Sequence, residues 1–145
     1  HLVVTSSSYL GYFSKYPNKS FAPGIFDSAV TGSEPKLSEL QELSLVLEAP
    51  VGDTVVVGCS HSSIDRILEA AVSYTKRPIN LLAGGMHLLP FDRTQMQTII
   101  SHMKDKIKVA KVAPTHCTGH LAFKMLQEVY GDKYLYLGLG ETLEL

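Results

Sequence analysis

Residues 53–72 read DTVVVGCSHSSIDRILEAAV, and a change of period inside them sets the fold class. The first part, DTVVVGCS, is a β-branched apolar run suited to a buried strand. Beyond it Ile64, Ile67, Leu68, Ala71 and Val72 recur at helical spacing, which predicts a helix packed by one face. Ser62 with Asp65 three residues later predicts a capping box at its start, and Arg77-Pro78 predicts its stop. The stretch is therefore a strand, a polar turn containing His61, and a helix.

The same sentence is written twice more downstream. INLLAGGMH (79–87) reads as a strand, and Asp92 with Gln95 predicts the cap of a helix carrying Met96, Ile99, Ile100 and Met103 on one face. KVAKVAPT (108–115) is strand-like, and Leu121, Ala122, Met125, Leu126 and Val129 mark a helix that Gly131 closes. KYLYLGLGETLEL at the end begins with alternation and predicts a closing strand. Three strand-helix units in a row argue for an α/β layer. Upstream, HLVVTS and SLVLEA (44–49) read as strands. Between them, 14–38 is expected to be a long loop around a short strand near Gly24-Ile25-Phe26.

The bulk properties narrow the partners. At 145 residues the chain has the length of one ordinary domain, taken as 1–145, and buries roughly two-thirds of its unfolded surface. A net charge of −1, a pI near 6.6 and no cluster of Lys and Arg argue against a nucleic-acid partner. No run approaches the roughly 18 consecutive apolar residues of a membrane span, so no membrane is expected and the chain reads as soluble. Two cysteines are too few for a disulfide scaffold. The compartment stays open, with the cytoplasm as the expectation. HLVVTSSSYLGYF has neither an initiator Met nor the features of a signal peptide, so the chain is expected to begin inside a longer protein.

Three of the six histidines fall at one structural address. His61, His87 and His116 each follow a predicted strand and precede a predicted helix, at the edge where α/β sheets bind ligands. Any one of them alone reads better as a helix cap or loop residue; three at equivalent positions favour a shared site. Imidazole is the commonest protein ligand of zinc, and a catalytic site needs about three protein ligands with one position open. His102 and His120 read as solvated or capping. Cys59 is a candidate ligand as thiolate, although packing is the plainer reading. Cys117 would point away from its neighbour if the strand continued, so it reads as structural. Gly84-Gly85 allows close approach of backbone, to a ligand or within a plain turn. Thr118 and Gly119 open a helix whose free N–H groups suit an anion, with N-capping by Thr118 as the simpler reading.

VVVGCSHSSIDRILEAA, LLAGGMHLL and APTHCTGHLAF, in this order, resemble the second half of a metallo-β-lactamase-fold protein. The resemblance runs over about 22–145, includes APGIFDSAVTG, and is nearest to the dihydropterin-ribofuranosylaminobenzene 5′-phosphate synthase-like subfamily. It implies one half of an αββα sandwich, a mixed sheet with helices on one face. It also implies a divalent metal, zinc first with iron or manganese as alternatives, and two ions in the complete fold. By matching motif it makes His61 and His116 metal ligands. His87 becomes a metal or substrate contact, and Cys59 stands beside it as a candidate.

The metal motif of the family's first half, H-x-H-x-D-H, does not occur in these residues, and TSSSYLGYF stands where the family tends to carry a segment like H-P-D-A-F. A half sandwich would leave the inner face of its sheet uncovered. The expected partner is thus a missing N-terminal half or a second copy, with a small-molecule substrate. The function this implies is metal-dependent hydrolysis, with a phosphoester-like substrate as the expectation and this chain supplying the C-terminal half of the site. The alternatives are a non-catalytic half-domain that self-associates and an α/β scaffold that binds an anion at Thr118-Gly119.

Overall fold

The computed structural model describes the backbone of 2–8 and 41–42 and the whole of 43–143; the expected loop at 14–38, with its short strand, lies outside these residues. Among them, five strands form one mixed sheet: β1 (Leu2–Ser8), β2 (Gln41–Leu47), β3 (Asp53–Val57), β4 (Ile79–Gly85) and β5 (Lys111–Thr115). They lie side by side in sequence order. β1, β2 and β3 pair antiparallel, and β3, β4 and β5 pair parallel. The parallel part is where helices cross over: α1 (Ile64–Thr75) joins β3 to β4, α2 (Arg93–Ser101) leads from β4 towards β5, and α3 (His120–Tyr130) follows β5.

The predicted strand-helix alternation is therefore present, with corrections at the ends. Ser63, not Ser62, precedes α1, and its hydroxyl gives no cap to the helix backbone. The box at α2 forms as expected: Gln95 N–H donates to Asp92 and Asp92 N–H to Gln95, at 2.9 and 3.0 Å. Past Ser101 the helix widens into a turn of π type, His102–Ile107. Gly131, at φ 53°, closes α3.

All three helices cover one face of the sheet. Val46, Val55, Leu82 and Val112 point into them and are fully buried with Ile67, Leu68, Ile99, Ile100 and Leu126. Strand alternation puts Leu43, Leu45, Leu47, Val56, Leu81, Ala83 and Ala113 on the opposite face. There Leu135, Leu137 and Leu143 pack over Leu81, Ala83 and Ala113. The closing strand expected in KYLYLGLGETLEL does not form in the described part. Tyr134 makes one parallel bridge to Val112, and Leu135 N–H bonds Val112 O at 2.8 Å. Gly138 and Gly140 then interrupt the alternation, Gly140 at φ 87°. The segment keeps its apolar contacts without the ladder. Among the described residues the cover ends over β2, and Leu43 is 68% exposed.

At the amino end of β3 a half-buried ion pair anchors the turn. Asp53 is 1% exposed and accepts from Arg77 Nε at 2.7 Å, while Arg77 also donates to Ala49 O. Arg77 thus does more than end α1.

Candidate metal centre

The three motif histidines and both cysteines gather at the other end of the parallel strands. β3, β4 and β5 end together, and each is followed by a backbone conformation that side chains rarely adopt. Ser60 (φ 62°) and Ser63 (φ 75°) flank His61, His87 itself has φ 44°, and His116 has φ 50°. Left-handed conformations at non-glycine residues carry strain that the surrounding structure must hold, and such strain concentrates at functional sites. Here it sits at or beside all three motif histidines.

The strain is held by contacts among the three loops. Ser60 donates its hydroxyl to Gly85 O at 2.6 Å, and Gly85 N–H donates to Gly58 O at 2.9 Å. Thr118, fully buried, donates to Thr115 O at 2.7 Å and accepts from Met86 N–H at 3.1 Å. The Thr118 hydroxyl, considered for anion binding, thus ties the turn after β5 to the turn after β4. Gly119 stands at φ 90° against Leu89, and a Cβ there would meet that side chain at 3.0 Å. The glycine pair is explained by packing: a Cβ on Gly84 would lie 2.1 Å from Val57 O, and one on Gly85 would lie 2.5 Å from Gly58 O and 3.0 Å from Cys117 Sγ.

Two donor groups result. In the first, ligand atoms of Cys59, His116 and Cys117 all lie within 4.8 Å of one another. Cys59 Sγ is 3.4 Å from His116 Nδ1, and the Cys117 thiol faces Cys59 O at 3.4 Å. In the second, the rings of His61 and His87 meet edge to face with centroids 4.4 Å apart. Two thiols and an imidazole are soft and borderline donors of the kind that hold zinc or iron rather than magnesium, so the residues present fit a metal ion. The Cys117 thiol is pushed up to about 11, first by burial and then by the charge of Cys59, against a lowering from the His87 backbone N–H. It keeps its proton at neutral pH, and a cation held there would displace it.

Sequence reasoning placed Cys117 wrongly in space. The expectation that it points away assumed that the strand continues, but β5 stops at Thr115 and a tight turn, His116–Thr118, folds the thiol back. The available signal was that both cysteines stand within two residues of a motif histidine. His102 was expected to be solvated or capping; it stands at the C-cap of α2, and its ring is half-buried and held by Asp65 and Glu69. His120 is exposed at the start of α3. Beside His116 opens a cleft of about 370 Å³ walled by Phe123, Tyr134, Tyr136 and Leu137. Burial, then neighbouring Tyr136, raises the Tyr134 phenol above its ordinary range.

Sheet, helix layer and strand-end site together have the α/β fold of the metallo-β-lactamase superfamily. The chain superposes on the crystal structure of a metal-dependent hydrolase of the beta-lactamase superfamily with a TM-score of 0.72 and 30% identity, covering 79% of this chain and 44% of that one. It is also 27% identical over 104 residues to the 7,8-dihydropterin-6-methyl-4-(beta-D-ribofuranosyl)-aminobenzene-5'-phosphate synthase of Methanocaldococcus jannaschii. That match takes in 71% of this chain, which spans only 35% of the length of the curated relative. No family model matches the chain. No helix among the described residues is long and apolar enough to cross a membrane.

Proposed function

We propose that the chain is the C-terminal part of a metal-dependent hydrolase acting on a small, phosphoester-like substrate. The observation that carries this reading is the convergence of Cys59, His116 and Cys117 at the carboxyl ends of parallel strands. His61 and His87 form a second donor pair on the neighbouring loops, which suits a centre of two ions, zinc first, with iron or manganese as alternatives. A cation held there supplies Lewis acidity towards the bond to be cleaved.

The chain's own residues do the rest. His116 reaches towards solvent from the strained end of β5, where it borders the cleft of Phe123, Tyr134 and Tyr136 that would receive the substrate. Cys117 would give up its thiol proton to hold a cation, so uptake at neutral pH would release acid. The remaining ligands come from a further segment of the protein that covers Leu43, Leu45, Leu47 and Val56 on the open face of the sheet.

Support comes from the similarity to a metal-dependent hydrolase at 30% identity. The phosphoester rests on the 5'-phosphate in the name of the archaeal relative. The test is elemental analysis of the protein containing this chain, with hydrolysis of an aryl phosphate ester assayed before and after chelation. Stoichiometric metal lost in His116→Ala, and activity lost on chelation, are expected. Metal content unchanged in that variant would overturn the ligand assignment.

The open face favours a second reading, a non-catalytic scaffold that associates with a second copy of itself through Leu43 and its neighbours. Sedimentation separates the two: a metal-free dimer without hydrolytic activity supports the scaffold.

A further inference from the structure

A second group of ionisable side chains lies away from the thiols, between α1 and the wide turn that follows α2. His102 opens that turn and presents both ring nitrogens to carboxylates: Nδ1 to Asp65 Oδ2 at 3.0 Å and Nε2 to Glu69 Oε1 at 3.1 Å. Asp65 is fully buried. Its other oxygen accepts from the Ser63 hydroxyl and from Arg66 N–H, the latter at 3.0 Å. Ser63 N–H in turn donates to Ser60 O at 3.1 Å, and the Ser60 hydroxyl reaches Gly85 O at 2.6 Å. His61 stands between these two serines, both at positive φ.

We infer that His102 is a positioning residue for His61, acting through Asp65 and Ser63 to hold the strained loop that presents that imidazole to the metal centre. The inference rests on the reading of this edge as a metal site. A buried carboxylate is tolerated when donors saturate it. Ser63 and Arg66 N–H are local to the start of α1, whereas His102 is a donor brought from a different element, at the residue where the helix widens. Interruptions of this kind in a helix are frequent at functional sites. An apolar side chain at 102 facing an apolar one at 65 would pack as well or better, so stability alone does not call for the pair.

Without His102, Asp65 Oδ2 loses the donor that reaches it from the turn after α2, and the carboxylate shifts. The Ser63 hydroxyl then loses its acceptor, and the left-handed backbone at Ser63 relaxes. His61 moves with it, while the apolar core of α1, centred on Ile67, Leu68 and Ala71, is untouched. Partners that orient a ligand in this way typically cost about 10- to 100-fold in metal affinity when removed. Glu69, on the exposed side of the ring, matters less than Asp65.

The experiment uses the protein containing this chain, as purified and loaded with cobalt(II), in wild-type, His102→Ala, His102→Gln and Glu69→Gln forms. Two readouts are followed: the visible ligand-field bands with cobalt affinity, and the His61 ring resonances by NMR in the metal-free protein. In His102→Ala, a loss of affinity of about 10-fold, altered cobalt bands and displaced His61 resonances are expected. His102→Gln, whose amide can still donate to Asp65, should restore all three, and Glu69→Gln should change them little. Unchanged cobalt bands and His61 resonances in His102→Ala would overturn the inference. So would changes that follow a fall in thermal stability and are not rescued by Gln. Absence of cobalt binding in wild type defeats the metal reading alone: His61 resonances displaced in His102→Ala and restored in His102→Gln would then still show the positioning, and unmoved resonances would overturn it.

Discussion

Both faces of the sheet carry apolar residues, and among the described residues they end in different states. On the helix side Val46, Val55, Leu82 and Val112 are fully buried against three amphipathic helices. On the other side Leu81, Ala83 and Ala113 are covered by the leucines of the C-terminal segment, and Leu43 is left 68% exposed. The difference teaches that burial here follows from what the connections bring. A parallel crossover must carry a helix onto the sheet, while a segment broken by Gly138 and Gly140 covers only the strands it happens to reach.

Leu82→Ala should break the closed face. The site is 0% exposed in the middle of β4, between β3 and β5, so the loss is about 2–5 kcal/mol. Chemical denaturation measures it, and a loss as small as that of a surface exchange would mean that the helices are not packed as described. At the strand ends the expected cost is functional: His116→Ala, which removes a ligand and not merely a partner that orients one, should lower metal affinity by at least about 100-fold with an unchanged circular dichroism spectrum. Competition with a chromogenic chelator reads the effect.

Tyr130→Phe sharpens the account of the helix side. Tyr130 is 4% exposed, and its hydroxyl has no hydrogen-bond partner among the described residues. Removing it should be neutral or stabilising by up to about 1 kcal/mol. Burial, and then Asp105, raises the phenol above its ordinary 10.0. A raised folded value means that the neutral ring's contribution is complete below the unfolded value and is lost as pH climbs through the folded one. The Phe variant should therefore resist alkaline unfolding better than wild type, and an unchanged alkaline midpoint would contradict the burial. Smallest in stability is Leu43→Ser, about 0.5 kcal/mol or less. Its expected effect is on association: sedimentation should show weaker self-association or weaker binding of the covering segment.

Much of the layer was legible because periodicity is local. Ile64, Ile67, Leu68 and Ala71 mark one stripe whatever surrounds them, and they are all buried. The shared position of His61, His87 and His116 was legible for the same reason, since a residue after a parallel strand lies at the ligand-binding edge by topology. Orientation was not legible. Cys117 turns inward because β5 stops where it does, and His102 turns inward because α2 widens at that residue. Neither break is marked by a glycine or proline at the residue itself.

By itself, then, the sequence determined the alternation of strands and helices, the capping box at Asp92 and Gln95, and the edge at which the histidines stand. These depend on side-chain period and on hydrogen bonds within a few residues. Only the tertiary structure decided that Cys59, His116 and Cys117 converge, that Gly84 and Gly85 serve packing against β3, and that Asp65 reaches His102. Each of those joins residues far apart in the chain. Their geometry is set by backbone angles at single residues, which strain permits and neighbouring loops hold in place.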